Sequence, residues 1–412
     1  MKKLFCLMLA SLITASAAFA ASASLLSPGM FVLSENDPMV MSGLIGEPIA
    51  FSNQDFCRHT GLPYYEAINI TKLPPKEEGY LSVAGKEVSV GDKISFADCE
   101  RLVFSPSESA VSSCFSFTVG ENYGSKCNIR LAEEFNYSPT ASSALTAIET
   151  FSGMAVSGHM VAYDPEGDTL TYEITKYPKG NISFNNKTGN FTYNSTSTGK
   201  DSFSFVVKDD WGNYSKEATV ELAVSSNTTG ISFKDMKGNS AYAAAVNMID
   251  DGIMTAAESN GEVFFEPDNT VSRLDFLICA MDTFKAGNLP DVESTGFADD
   301  GDIPAEYKKY VFSAQKLGII NGTENEDGKP CFYPNADITR AEAAVIINNI
   351  MGYTAACNFV FEDSVPAWAS NSVSAMYELG VFSTDNGFVN ADAKITKAET
   401  AQLLNRLKEL IF

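Results

Sequence analysis

The triplet Phe-x-Asp returns at a fixed interval: Phe233-Lys234-Asp235, Phe297-Ala298-Asp299 and Phe361-Glu362-Asp363 stand 64 residues apart each time. A period of that length marks supersecondary units that cannot bury an apolar face alone and must stack. Each triplet opens a segment of helical periodicity, as in Tyr307, Tyr310, Val311, Ala314 and Leu317. Each segment ends near a glycine: Gly252, Gly318 or Gly380. A loop follows, carrying Phe265-Glu266-Pro267, Phe332-Tyr333-Pro334 or Phe388-Val389-Asn390. Each copy closes on a second helix that begins "VSRLD", "ITRAE" or "ITKAE".

These helix starts pose an electrostatic question. Thr339 is placed to cap, and Glu342, three residues on, reaches back to it. Arg340 then stands in the first turn, where the dipole is already positive and a cation costs about 0.3–1 kcal/mol. A nearby anion would reverse that sign, because a helix start offers free N–H groups and a guanidinium adds a bidentate fork. The other reading is a solvated arginine, or one paired to an acid such as Asp299. Three copies in register favour the ligand, so Arg340→Ala is expected to weaken binding while leaving thermal stability nearly unchanged.

The rest of the chain has a different period. Lys2 and Lys3 precede an apolar run that closes on small residues, which reads as an exported leader over residues 1–23. From 24 to 135, "CFSFTV" puts Phe115, Phe117 and Val119 on one side and Ser116 and Thr118 on the other, the pattern of a strand. Residues 136–224 repeat this with Phe191 and Tyr193, then Phe203, Phe205 and Val207, between Gly and Asn turns. The ends of the two regions match, so they read as two copies of one sandwich type, followed by a polar linker at 225–230.

Charge and composition narrow the function. The net charge is −23, which disfavours nucleic acid and anionic lipid as partners. No apolar run after the leader is long enough to span a membrane. Only His59 and His159 are present, without a serine or cysteine motif around them, so a histidine triad or His-rich metal site is not expected. Cys57, Cys99, Cys114 and Cys127 cluster where export permits disulfides, and three pairings stay open. Cys279, Cys331 and Cys357 read as scattered small hydrophobes.

The tandem motifs resemble three S-layer homology repeats, at 231–290, 291–354 and 355–412. The middle copy carries Phe297, Asp299, "LGIINGT" and "FYPNADITRAEA", and the last supplies the family's tryptophan as Trp368. The resemblance implies an all-α pseudo-threefold trimer that binds secondary cell-wall polysaccharide or a peptidoglycan-linked polymer in grooves between neighbouring repeats. It also implies that Arg273, Arg340 and Lys397 line those grooves and face a ligand carboxylate. Asp235, Asp299, Asp363, Gly252, Gly318, Gly380 and Trp368 complete the implied set. The first copy departs with Ser272, Leu274 and Asp275, and the third with Lys397, which lacks the fork. The grooves using Arg340 and Trp368 therefore rank highest; Trp368 either stacks on a sugar face or packs inside.

The strand-rich regions resemble bacterial cadherin-like and immunoglobulin-like repeats, through "YDPEGDTLTYEI" and "DSFSFVVKDDWGN" in the second copy. In such chains acids of this kind hold calcium, which makes Asp164, Glu166, Asp168, Asp209 and Asp210 candidate ligands, with Glu133 and Glu134 at the junction. The other reading is a plain acidic turn. Calcium is the one candidate cofactor. The expected protein is thus multidomain: two all-β sandwiches followed by the repeat trimer, secreted and held at the cell wall or S-layer surface. It is read as a non-catalytic, wall-anchored protein. The alternatives are a self-assembling lattice protein, for which self-association is the test, and a wall-anchored glycan-active enzyme.

Overall fold

The computed structural model describes residues 38–120, 123–143, 147–286, 289–355, 359–384 and 387–411. The expected leader at 1–23 and Cys357 lie outside them. Buried apolar side chains gather in three clusters. One runs from Met39 to Leu131, one from Val156 to Val224, and one from Phe233 to Leu407, the last also taking in Phe151.

The first sandwich pairs a five-stranded sheet with a four-stranded one. In the larger sheet the strand order is Met39–Leu44, Tyr123–Ala132, Ser112–Val119, Ala67–Lys72 and Lys93–Ser95. The alternation read in "CFSFTV" is realised: Phe115 and Phe117 are fully buried, while Ser116 and Thr118 face outward. One element escaped the strand reading, the helix Asn53–Thr60. Ser52 and Asp55 form its capping box, left-handed Gly61 ends it, and it sets Phe56 and Cys57 into the core.

The main sheet of the second sandwich repeats the first four strands of that order, as Ile148–Phe151, Ala218–Ser225, Gly199–Lys208 and Thr171–Lys176. In both sandwiches the first strand runs parallel to the last, and the remaining pairs are antiparallel. Both also shift register at the same place, between Ile70 and Lys72 and between Ile174 and Lys176. The shared "ITK" in the sequence marks that bulge.

Among the described residues the C-terminal region has six α-helices: Tyr242–Asp250, Arg273–Thr283, Lys308–Lys316, Arg340–Met351, Ser370–Glu378 and Lys397–Ile411. The region is not purely α, since hairpins Ala257–Ser259/Glu262–Phe264 and Thr323–Glu324/Pro330–Cys331 sit in the first two copies. The two helices of one copy are not the main partners. Arg273–Thr283 packs on Lys308–Lys316, Arg340–Met351 on Ser370–Glu378, and Lys397–Ile411 back on Tyr242–Asp250. The backbone closes the same circuit before each capped helix. Ile338 N donates to Val271 O, Ile395 N to Ile338 O, and Val271 N to Ile395 O. Gly252, Gly318 and Gly380 all lie in the left-handed region, at φ 72°, 71° and 68°, where they end the opening helices.

Candidate functional site

Each repeat locks its loop with an aspartate. The Asp235 carboxylate accepts from Phe265 N and Glu266 N at 2.9 and 2.6 Å, and Asp299 accepts from Phe332 N and Tyr333 N at the same distances. Asp363 accepts from Val389 N at 2.7 Å and Ala391 N at 3.3 Å. The third loop is therefore in register at Val389-Asn390-Ala391, not Phe388-Val389-Asn390; Val389 is the buried residue and Phe388 is exposed. Glu266, Tyr333 and Asn390 all take positive φ, at 60°, 57° and 54°, a conformation that costs a side-chain-bearing residue free energy and that the aspartates hold in place. These three aspartates shape the loops, each oxygen accepting one backbone N–H.

The vacant N–H groups expected at the helix starts are occupied. The neighbouring repeat's loop supplies the carbonyls. Arg273 N donates to Ala336 O and Leu274 N to Pro334 O; Arg340 N donates to Ala393 O and Ala341 N to Ala391 O; Lys397 N donates to Asn269 O and Ala398 N to Pro267 O. The next N–H in each helix donates to the cap hydroxyl of Ser272, Thr339 or Thr396. An anion cannot bind there through backbone donors.

The side chains answer the electrostatic question. Arg340 Nε donates to Val389 O at 3.0 Å, Nη1 meets Glu399 at 2.9 Å, and the guanidinium lies 4.3 Å from the Phe382 ring centre. Arg273 does the same one repeat earlier, with Phe332 O at 3.0 Å and Glu342 at 2.7 Å. The partner in each case is the capping-box glutamate of the following repeat, whose other oxygen accepts from its own cap residue. Both arginines at these positive helix ends are thus neutralised across a repeat boundary. Both arginine side chains are only 12% exposed, and burial lowers the Arg340 pKa against the pull of Glu399. Nε and one Nη1 hydrogen are spent, leaving the Nη2 edge, which reaches Ser383 O only at 3.5 Å.

The third junction differs. Lys397 would face Asp275, but Asp275 accepts from Ser272 Oγ, and no salt bridge closes this junction among the described residues. The ammonium stands 5.0 Å from the Phe265 ring centre instead. Burial lowers its pKa, while Glu266, Asp235 and Asp275 oppose that. Of the three helix-start cations, Lys397 is thus the one without an ion-pair partner among the described residues, while Arg273 and Arg340 keep an Nη2 edge. Trp368 is 62% exposed, so it is a surface ring and not a packing residue. Gly380 lines a cleft against the second sandwich, and nothing lies within 4 Å of a Cβ added at Gly252 or Gly318.

The acidic candidates divide. Oxygens of Asp164, Asp168 and Asp209 lie within 4.8 Å of one another, whereas Glu166, Asp210, Glu133 and Glu134 fall outside this group. Asp164 Oδ1 accepts from Glu166 N and Asp168 N, but its buried Oδ2 has no partner among the described residues. Burial raises the pKa of both Asp164 and Asp209, opposed at Asp164 by the backbone N–H groups of Asp168 and Glu166 and at Asp209 by Asn213 and Trp211. Asn213 ties the group to the first sandwich by accepting from Ser42 Oγ, and Gly212, with φ 92°, lies so close to Val40 that a Cβ would meet its carbonyl oxygen at 2.3 Å. Asn136, Trp211 and Asn213 donate to Asp168 and Asp209, and a carboxylate cluster of this kind with an orphaned buried oxygen is chemically suited to a hard cation. The cysteines Cys57, Cys99, Cys114, Cys127, Cys279 and Cys331 are all free thiols.

Sequence reasoning gave no hint of the joint between the second sandwich and the repeats. His159 Nδ1 donates to Asn190 Oδ1 at 3.1 Å, leaving Nε2 to accept from the Tyr377 hydroxyl at 2.6 Å. Asn190 Nδ2 donates to Thr384 O, and Arg406 Nη1 donates to Ala147 O at 3.0 Å. Burial lowers the His159 pKa to about 4.

The S-layer homology domain family matches residues 296–344 and 361–401, and the bacterial Ig domain family matches residues 136–225. The chain is similar to the S-layer protein EA1 of Bacillus anthracis, 26% identical over 185 residues, which is 42% of this chain and 20% of that protein. It is 30% identical over 134 residues to an amylopullulanase of Thermoanaerobacterium thermosulfurigenes, covering 32% of this chain and 7% of that one. It is also 31% identical over 123 residues to the exoglucanase XynX of Acetivibrio thermocellus, covering 29% and 11%. The matches therefore span a fifth or less of these relatives' lengths.

Proposed function

We propose, from a chain that carries a bacterial Ig domain followed by S-layer homology domains, that it is a non-catalytic surface protein held non-covalently to the cell wall. The three repeats act as a pseudo-threefold trimer that grips an acidic wall polysaccharide, and the sandwiches serve as spacer or adhesion modules. The observation that carries this reading is the set of basic helix starts, two of which, Arg340 and Lys397, fall inside the matched S-layer homology stretches. Lys397 and the Nη2 edges of Arg273 and Arg340 are the groups that meet ligand carboxylates; several weak grooves add by avidity. The similarity to an S-layer protein supports a cell-surface location. No helix among the described residues is long and apolar enough to cross a membrane.

The test is co-sedimentation of the full chain with purified wall sacculi, before and after chemical removal of acidic substituents. The chain is expected to pellet with intact walls and to stay in solution with stripped ones. Equal pelleting in both would end the reading. The similarity to an S-layer protein also supports a second reading, self-assembly into a lattice, which electron microscopy of the purified protein decides by the presence of ordered arrays. A glycan-release assay addresses the enzymatic alternative, and no turnover is expected.

Calcium belongs to the same reading. Asp164, Asp168 and Asp209 would hold it, with Asp164 Oδ2 supplying the oxygen that has no partner among the described residues. The ion would offset the repulsion among the three carboxylates and brace the junction with the first sandwich. Calcium is expected to raise the melting temperature of the wild type and not of Asp164→Asn; an equal response would remove the site.

A further inference from the structure

A cleft of about 450 Å³ opens between the second sandwich and the first and third repeats. This volume lies within the ~300–1,000 Å³ usual for small-molecule sites. Three parts of the chain build it. The sandwich supplies strands Ala155–His159 and Asn190–Asn194 with the loop at Asn185; helix Tyr242–Asp250 supplies Ala243 and Ala244; helix Lys397–Ile411 supplies Gln402, Asn405, Arg406 and Glu409. Its lining holds none of Arg273, Arg340 and Lys397, although it includes Ser383, whose carbonyl takes the long contact from Arg340 Nη2.

Its lining combines an apolar floor with hydrogen-bonding atoms that have no partner among the described residues. Phe184, Phe191, Val156, Ala243 and Ala244 form the apolar part. Gln402 gives its Nε2 to Ser240, which leaves Oε1 to accept. Asn185 uses Oδ1 on Lys187 N and Thr188 N, which leaves its two Nδ2 hydrogens to donate. The Ser183 hydroxyl, which both donates and accepts, lies exposed at the rim. Such a mixture of amides and hydroxyl over aromatic and methyl surface suits a ring with both C–H faces and hydroxyl edges. The charges disfavour an anion: Glu149 and Glu409 both line the cleft, and Arg406 is engaged by Ala147 O and Glu409.

We propose that this cleft is a second carbohydrate site, which binds an uncharged saccharide unit between the Ig domain and the S-layer homology repeats. It differs in ligand charge from the acidic-polymer grooves, and it brings the sandwich into contact with glycan.

The experiment titrates the full chain with cellotriose, maltotriose and chitotriose by calorimetry. At least one is expected to bind. Ser183→Trp, which fills the rim from an exposed position, abolishes that binding, and Gln402→Ala weakens it about three- to tenfold, the loss of one hydrogen bond. Both variants should melt like the wild type, and Ser183→Trp should still pellet with sacculi, so that loss of saccharide binding is distinguished from loss of wall anchoring. Absence of binding by all three sugars, or wild-type binding by both variants, overturns the proposal.

Discussion

Replacing Arg340 with alanine separates two accounts of the basic helix starts. If arginine served a ligand alone, truncation would leave stability untouched. The structure gives it three intramolecular tasks. Its loss orphans the carbonyl of Val389, a fully buried residue, at about 1–3 kcal/mol. It removes a cation–π contact with Phe382 of roughly 0.5–2 kcal/mol. It also breaks the Glu399 pair; because that carboxylate is 40% exposed and regains water, the pair contributes only about 1 kcal/mol. These terms overlap, and about 2–4 kcal/mol is the expected total. For a helical region of roughly 180 residues this lowers the melting temperature by about 5–15 °C. Lys397→Ala removes no ion pair and one weaker ring contact, so its effect stays below about 1 kcal/mol. Scanning calorimetry of the full chain reads both. A shift below about 2 °C for Arg340→Ala, or equal shifts for the two variants, would refute the assignment of arginine to the repeat boundary.

Three further outcomes follow from burial. Burial raises Glu409 from 4.5 to about 7 against the pull of Arg406, with Glu149 adding to the rise. The folded state thus holds the proton more tightly, so up to ~3 kcal/mol of stability is lost as pH climbs between those values, and melting curves of Glu409→Gln should lack that slope. His159 runs the other way: with its folded pKa lowered from 6.5 to about 4, stability is lost as pH falls through that window, and His159→Gln should flatten the acid limb. Gly322 sits at φ 78°, where an added Cβ would meet Phe297 Cε1 at 2.5 Å and Cys331 O at 2.9 Å. Gly322→Ala should cost roughly 1–3 kcal/mol in urea unfolding.

Local chemistry was legible before any coordinates. The period-two alternation around Phe115 and Phe203 placed strands correctly, because one face of each sheet is dry. Thr339 and Glu342 announced a capping box, and the structure forms one. The helix Asn53–Thr60 was missed although Ser52 and Asp55 carry its signature, since it lies inside a strand-rich stretch. The one-residue slip at Phe388 came from reading an aromatic as the loop anchor where burial instead selects Val389.

The repeat period, the sandwich patterning and the helix starts were thus set by neighbours within a few residues, where propensity and capping act. Which acid meets Arg340, which carbonyls fill the helix-start donors, and which cation is left unpaired depended on closure of the three repeats. Those partners lie one repeat away or at the opposite end of the repeat region. The same holds for His159 and Tyr377, 218 residues apart, and for the cleft beside them. A side chain's charge is written in the sequence, but its partner is chosen by packing, because burial leaves a charge only the groups that tertiary contact brings within reach.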